Sequence, residues 1–445
     1  MREKLKNLLK NRRWERFKRK LEEFHPFDVG EIVWRLTPKK KKELLDRLEP
    51  EQIAWFLQEI EEEYRQKEII EILPDDVVVA ILLSLPPDEA TDILGLFPIE
   101  KRQNILERLP AKPKEQLESL LPFPPNTAGG LMTTEVLALH AEASVEEAEV
   151  LIKEKAREYE TIYYLYVTDV EGKLIGVISM RELLLAPPNK SLREIMIPEV
   201  ISVDVHMEQE QVANLVADYD LPVVPVVDDQ KRLIGLVTVD DVVEVLEEEI
   251  VEDMGKIVGT KGEVDNLIDA PSSEVLKNRL PWLLVALIGD GVIASLVLRS
   301  FEETITSVIA LSLFVPVIMT MGGNLGLQTS TIFIRGLAIN EIKNKTKYLL
   351  RELQVGVLMA LISSVCVGIF SFWVINEPLI GIVVGVAMLN AMILASLLGI
   401  ILPTLFERLG VDPAVASGPF MTTTLDITGL TVYFALATFL LQYIG

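Results

Sequence analysis

Long apolar stretches almost free of charge decide what the last third of this 445-residue chain can fold into. Five of them carry at most one charged residue each: 280–298, 304–334, 353–376, 378–406 and 413–444. A helix needs roughly 20 apolar residues to cross a bilayer. The sequence therefore predicts an α-helical membrane domain of five spans at 280–445.

The rest of the chain is polar and strongly acidic. The net charge is −23, yet the residues from 280 onward hold nine acids and seven bases, so residues 1–279 carry nearly all of it. This surplus argues against nucleic acid as a partner and points to cations. The three histidines are scattered and no glycine-rich phosphate loop is present, so we expect no enzyme.

A regular spacing of proline marks the N-terminal part. Proline recurs every twelve residues, with Glu62 at one position of the series: Pro26, Pro38, Pro50, Pro74, Pro86, Pro98, Pro110 and Pro122. Proline is tolerated in the first turn of a helix and breaks it elsewhere, so each one predicts a new short helix. Acids that follow, such as Asp88 and Glu89, suit the positive end of the helix dipole. We predict an all-α helical-repeat domain at 21–125, after a basic helix at 1–20.

A second repeat follows. Gly176-Val-Ile-Ser-Met-Arg-Glu182 is matched 59 residues later by Gly235-Leu-Val-Thr-Val-Asp-Asp241, and each copy lies between an apolar strand and a helix. This pattern resembles a tandem pair of CBS (cystathionine-β-synthase-type) domains, an α/β fold, at 126–190 and 191–250.

The CBS resemblance implies an adenine nucleotide such as ATP between the two copies. The residues nearest to it would be Tyr164, Arg181 and Glu182. The second copy fits the family pattern Gly-x-x-Ser/Thr-x-x-Asp, whereas the first ends in Glu182, which implies a longer contact with the ribose. Many CBS pairs bind no nucleotide, so both outcomes stay open.

Acids dominate the second CBS copy and the segment after it. Residues 200–255 hold 15 acids and two bases. Such self-repulsion destabilises a folded domain, so a solvated face is an insufficient explanation and divalent counterions are predicted. One group of candidate metal ligands would face acids of the N-domain or of a second copy of the chain: Glu208, Glu210, Asp220, Asp241 and Glu244. A second group would lie near the membrane: Glu249, Glu252, Asp253 and Asp412.

Asp426 is the candidate ion site within the membrane. An acid at the centre of a membrane helix is costly and typical of an ion path or a bundle interior; a protonated acid bonded to a neighbouring helix is the alternative. Threonines, glycines and a proline in the surrounding segment 417–429 predict a helix opened to expose its carbonyl groups. Oxygen ligands of this kind suit a hard cation. Asp290 is a second intramembrane acid, a candidate proton or cation site unless it only lines a water-filled surface.

The order of these parts, joined by a connecting helix at 251–279, resembles the MgtE family of magnesium transporters and channels. The motifs that carry the resemblance lie at 127–132, 237–242, 321–324 and 410–429. The resemblance implies a homodimer in the plasma membrane, with a Mg²⁺ pore on its two-fold axis lined by the second and fifth spans. It also implies that Asp426 binds Mg²⁺ at the pore mouth. From the acidic surface we predict that Mg²⁺ bound to the cytosolic domains closes the pore.

One motif departs from the family, and two other functions stay open. The family reads Gly-Gly-Asn-x-Gly-Asn-Gln, but this chain has Leu327 at the second Asn, which removes an amide near the expected pore wall. The chain could instead be a membrane-anchored sensor of Mg²⁺ or nucleotide that conducts nothing. It could also be a proton- or sodium-coupled antiporter of divalent cations.

The charges of the loops predict the orientation. The loop at 335–352 is basic, whereas those at 299–303 and 377 are net negative. By the positive-inside rule, the N-terminal domains are cytoplasmic and the C-terminus lies outside.

Overall fold

The structure is a computed structural model that describes residues 14–60, 63–155, 159, 162–258, 272–338, 342, 344–414 and 418–444. Three expectations lie wholly or partly outside these residues: the start of the basic helix, the middle of the connecting segment and Ser417. The chain divides into two units, Met1–Leu246 and Glu247–Gly445.

Short helices fill the first part of the first unit, as the proline spacing predicts. They are α1 Trp14–Lys18, α2 Pro26–Trp34, α3 Pro38–Leu45, α4 Pro50–Leu57, α5 Glu63–Ile70, α6 Asp75–Leu82, α7 Pro87–Gly95, α8 Ile99–Arg108 and α9 Ala111–Leu120. Proline is the first helical residue or the residue just before it in seven of the nine, where no backbone N–H is needed. Five pairs of helices two positions apart pack together, namely α2 with α4, α4 with α6, α5 with α7, α6 with α8 and α7 with α9, so the repeat is confirmed. Pro122 is the exception, since it lies in a turn and starts no helix.

Two small sheets with the same topology form the CBS pair. Their elements are α10 Ala128–Leu131, β1 Ala138–His140, α11 Val145–Lys155, β2 Tyr164–Thr168, β3 Leu174–Ser179, α12 Met180–Leu185, α13 Leu192–Ile195, β4 Val203–Asp204, α14 Gln209–Tyr219, β5 Val223–Val227 and β6 Leu233–Thr238. In each sheet the first pair of strands is parallel and the second antiparallel. The α/β fold class predicted from the sequence repeat is confirmed.

A 20-residue helix, α15, runs from Val239 to Val258. The sequence places the end of the second CBS domain at 250 and the connecting helix from 251, but the backbone has no break there. The segment 239–254 contains neither glycine nor proline, so nothing local ends the helix at that point.

The second unit contains five helical segments long and apolar enough to cross a membrane, which confirms the predicted number within the described residues. They are Val275–Ser300, Ile309–Leu337, Lys345–Ile375, Pro378–Arg408 and Pro419–Gln442. The α-helices of this region are α16 Ser272–Ala286, α17 Ala294–Ser300, α18 Glu302–Ser307, which lies between the first two spans, α19 Val315–Ala338, α20 Lys345–Ile375, α21 Pro378–Arg408 and α22 Pro419–Ile444. The fifth span packs against the first, second and fourth, so its residues face helices on several sides.

The irregular helix lies in the first span and not in the fifth. The expectation of an opened fifth span is wrong, because α22 is unbroken from Pro419 to Ile444. The hydroxyls of Thr424 and Thr428 donate to the carbonyl oxygens of Phe420 and Thr424, at 2.8 and 2.7 Å, so they bond within the helix. A π-helical segment, Leu287–Ile293, interrupts the first span instead, and it contains Asp290.

Candidate functional site

Asp426 faces the backbone of the second span. A Cβ atom added to Gly323 of α19 would lie 4.0 Å from Oδ1 of Asp426, so the glycine leaves open space in front of the carboxylate. Within the described residues Asp426 makes no hydrogen bond and no ion pair. An unpaired acid in a bilayer is costly, which favours a bound cation or proton at this position.

Asp290 lies beside the same part of the fifth span. Its Oδ2 accepts a hydrogen bond from the Thr423 hydroxyl at 3.4 Å, and its charge interacts with that of Asp426. Thr423 precedes Asp426 by three residues, so both project from one side of α22. The structure therefore brings the two intramembrane acids together, which the sequence alone leaves undecided.

An acidic cavity of about 170 Å³ lies in the first unit. Seven carboxylates line it: Glu59, Asp88, Glu89, Glu135, Asp240, Asp241 and Glu244. Among the described residues that form its wall there is no lysine, arginine or histidine. Burial raises the pKa of Glu89 well above its usual value, and the charges of Asp88, Asp92, Glu244 and Asp241 raise it further. Asp241 and Glu244 thus lie near acids of the N-domain, as predicted. The sequence analysis interpreted Asp88 and Glu89 only as partners of the helix dipole and did not predict that they line this cavity.

The other predicted ligands of the second CBS copy are not part of this cavity. Glu208 precedes α14, Glu210 lies in its first turn and Asp220 ends it in a left-handed conformation with φ of 50°. Twelve residues of helical rise separate Glu208 and Asp220 by about 18 Å. Within one chain these acids do not converge, and their role as ligands stays a prediction.

A third charged cluster lies in the second unit, between the end of α15 and the loop before the fifth span. The Lys256 ammonium bonds to Asp412 and lies 2.7 Å from Oε1 of Glu252. The pKa of Asp253 is raised to about 6, first by burial and then by the charges of Asp412, Glu249 and Glu252, while the charge of Lys256 opposes the rise. Glu252, Asp253 and Asp412 are thus brought together, as predicted. The sequence analysis did not predict a role for Lys256, the first base after the acidic run.

The residues predicted to contact a nucleotide lie at the end of the first CBS sheet. Tyr164 pairs with Ser179 across β2 and β3, and Glu182 and Ser179 cap α12 reciprocally through their side chains and backbone amides. In the second copy Asp241 accepts a hydrogen bond from the Thr238 hydroxyl at 2.7 Å. The carboxylates expected at a ribose therefore already cap helices, and nucleotide binding stays a prediction.

Nowhere in the described ranges do three acidic, histidine or cysteine side chains form a preformed metal site. Mg²⁺ loses its water reluctantly and is commonly held by one or two carboxylates that keep several of its waters. The carboxylate clusters fit an ion bound in that way better than one fully coordinated by protein.

Taken together, the helical array, the CBS pair and the five spans with their intramembrane acids define a multi-pass membrane protein with the architecture of a cation transporter. Family models agree: the MgtE intracellular N domain matches residues 24–126, the CBS domain matches 128–189 and 192–248, and the MgtE divalent cation transporter matches 315–436. The chain belongs to the MgtE family of magnesium transporters.

Individual relatives support this assignment. The chain is 41% identical over 324 residues to the magnesium transporter MgtE of Thermus thermophilus, across 72% of this chain and 71% of that protein. It is 37% identical over 324 residues to that of Enterococcus faecalis, across 72% and 70%. A crystal structure of the cytosolic domain of the Mg²⁺ channel MgtE in complex with ATP matches with a TM-score of 0.52 and 35% identity, covering 55% of this chain and all of that one.

Proposed function

We propose that this chain is a Mg²⁺ channel of the plasma membrane that acts as a homodimer, with its N-terminal domains in the cytoplasm and its C-terminus outside. The observation that carries the proposal is the Asp426 carboxylate, which has no partner among the described residues and faces the bare backbone of Gly323. Relatives named as magnesium transporters support the choice of ion.

In this proposal the second and fifth spans form the ion path. Asp426 attracts the ion and holds it through water, since Mg²⁺ dehydrates reluctantly. The amides of Asn324 and Gln328 are exposed one helical turn apart on α19, so both can meet the ion's water shell. Leu327, next to Gln328, is partly buried and adds no polar group to that face.

The acidic clusters outside the spans act as the Mg²⁺ sensor. Two carboxylates about 4 Å apart repel by roughly 4 kcal/mol at an effective dielectric constant of 20. Divalent ions in the acidic cavity and at Glu252, Asp253 and Asp412 would remove that repulsion. To move a gate from mostly open to mostly closed, the ions must favour the closed state by about 5.5 kcal/mol, which several weak sites supply together.

The CBS pair is the proposed site of a weak nucleotide ligand. The related cytosolic domain was solved in complex with ATP, which supports the adenine nucleotide. The residues of this chain that would contact it are Tyr164, Arg181 and Glu182. The exposed side chains of Arg181 and Glu182 leave them accessible.

Mg²⁺ flux into proteoliposomes tests the proposal. Asp426→Asn keeps the shape of the side chain and loses its charge, so we expect it and Asp426→Ala to lose most of the flux while the protein remains monodisperse. Glu377→Gln removes one exposed charge just before α21 and serves as the matched control. Parent-like flux in Asp426→Asn would refute the site.

The same assay separates the alternative functions. Absence of flux in the parent protein would favour a non-conducting sensor. Flux that requires a proton or sodium gradient would favour an antiporter. A channel conducts down the Mg²⁺ gradient alone.

A further inference from the structure

The carboxylate of Asp290 is poorly satisfied where it lies. Its Oδ1 is buried and has no hydrogen-bond partner among the described residues, and its Oδ2 receives one long bond of 3.4 Å from Thr423. An ionised carboxylate has about four acceptor positions. A buried polar atom without a partner destabilises the protein, so this group needs a ligand that donates hydrogen bonds or carries positive charge.

The backbone around Asp290 brings it close to the fifth span. A Cβ atom added to Gly289 would overlap the methyl group of Thr423, so the two spans touch here at a distance that only glycine permits. Asp290 also lies in the π-helical segment, a kind of helix irregularity that is frequent at functional sites. The first span therefore presents its acid to the helix that carries Asp426.

Two carboxylates that lie close together in an apolar surrounding repel each other unless positive charge lies nearby. No lysine or arginine forms an ion pair with either of them in the part of the chain that the structure describes. A divalent cation matches two negative charges, and its bound waters are the donors that Oδ1 of Asp290 lacks. A single monovalent ion matches only one of them.

We propose that Asp290 is the second carboxylate of the cation site at Asp426 and determines its preference for divalent over monovalent ions. Asp290 holds the ion through water from the first span, while Asp426 faces it from the fifth. This inference rests on the proposed role of Asp426 and adds a residue outside the spans that the family resemblance assigns to the pore.

The test compares Asp290→Asn, Asp290→Glu and the control Glu377→Gln in the full-length protein. Its two measurements are Mg²⁺ binding and the permeability ratio of Mg²⁺ to Na⁺ in proteoliposomes. Removing one of two charges should weaken Mg²⁺ binding and lower the ratio, each by about tenfold or more. Asp290→Glu keeps the charge, so its Mg²⁺ affinity and permeability ratio should lie within a few fold of the parent values. A purely structural role of Asp290 would not predict this recovery. If Asp290→Asn is not monodisperse, Asp290→Ser takes its place.

The outcomes separate this inference from the proposed function. Parent-like affinity and permeability ratio in Asp290→Asn, together with loss of flux in Asp426→Asn, would overturn the role of Asp290 alone. Unchanged Mg²⁺ affinity with a lost response to a pH gradient would make Asp290 a proton site and also overturn it. Parent-like flux in Asp426→Asn would instead refute the site on which both rest.

Discussion

The ammonium group of Lys256 bonds to the carboxylate of Asp412, which joins the end of α15 to the loop before the fifth span. The same ammonium is 2.7 Å from Glu252. The Lys256 ammonium thus lies between two acids, at the position where the proposed sensor would bind Mg²⁺. It stabilises this contact even without the ion.

Replacing Lys256 by Gln should make the protein more dependent on Mg²⁺. Without the ammonium, Glu252, Asp253 and Asp412 repel one another, so the contact weakens when Mg²⁺ is absent and binds Mg²⁺ more tightly when it is present. We expect flux at low internal Mg²⁺ to rise several-fold and its inhibition to become steeper. Lys345→Gln is the control, because Lys345 forms an ion pair with Glu407, at 2.6 Å from its Oε1, elsewhere in the unit. Equal effects of the two variants would contradict the prediction.

Asp253 should make the stability of its unit depend on pH. Its pKa of about 6 lies above the unfolded value near 3.8, so the folded protein binds the extra proton and loses stability as pH rises from about 4 to 6. In Mg²⁺-free buffer, Asp253→Asn should therefore be more stable than the parent by about 2 kcal/mol at neutral pH, with a gain that vanishes near pH 4. Thermal unfolding measures the difference. The exposed Asp229→Asn is the charge-matched control, and a gain that does not vary with pH would count against the prediction.

Neutralising the proposed sensor should remove the response to Mg²⁺. In the parent protein, millimolar Mg²⁺ should make the soluble domains more compact and more resistant to protease. The combined change of Asp241, Glu244, Glu249, Glu252 and Asp253 to their amides should abolish this protection and blunt inhibition by internal Mg²⁺, while flux persists. Asn at 241 keeps the oxygen that caps the helix at Thr238. Protection that survives the five changes would place the sensor elsewhere.

A parallel triple variant, Glu208→Gln, Glu210→Gln and Asp220→Asn, decides whether the acids of α14 contribute. These side chains do not line the acidic cavity, so an effect of this variant would favour their contact with a second copy of the chain.

Adjacent glycines of the second span should respond differently to alanine. A methyl group at Gly323 would stand 4.0 Å from Asp426, within the space where the ion's water would lie, whereas one at Gly322 meets no atom within 4 Å. We expect Gly323→Ala to lower Mg²⁺ flux about tenfold or more and Gly322→Ala to conduct like the parent. Proteoliposome flux, with size-exclusion profiles as the folding control, makes the comparison. Equal flux in the two variants would show that Gly323 does not border the ion path.

ATP should bind to the CBS pair weakly. Calorimetry on the full-length protein at millimolar nucleotide should give measurable heat, and Arg181→Ala should lower it. Glu182→Gln keeps an acceptor for the cap of α12, so a loss of heat in that variant reports on the ligand and not on the helix. No detectable heat from the parent would remove the nucleotide from the proposal.

Elements with strong local signals could be predicted from the sequence. The prolines before α6 and α8 fix the φ angle in any context, which makes the helix starts predictable. Apolar runs of this length satisfy their backbone groups in a bilayer by forming helices. Asp426 stands out because an acid in such a run is costly.

Features that depend on contacts between distant segments could not be predicted. The pairing of Asp290 with Thr423 joins residues 133 positions apart, and that of Lys256 with Asp412 joins residues 156 apart. No local pattern encodes either. The expectation of an opened fifth span failed for a related reason. Threonine hydroxyls that donate to carbonyls within an intact helix cannot be distinguished in the sequence from hydroxyls that replace lost helix bonds.

The unbroken fifth span has a consequence for how ions would be told apart. Its carbonyl groups accept helix hydrogen bonds, and those of Phe420, Thr424 and Ile427 also accept from threonine hydroxyls, so few backbone oxygens are free to replace an ion's water. If ions pass as proposed, discrimination would act on the size of the hydrated ion and on the rate at which its bound water leaves. In the proposed channel, slow exchange of water ligands, usually an obstacle to permeation, would become the property that distinguishes Mg²⁺ from Ca²⁺.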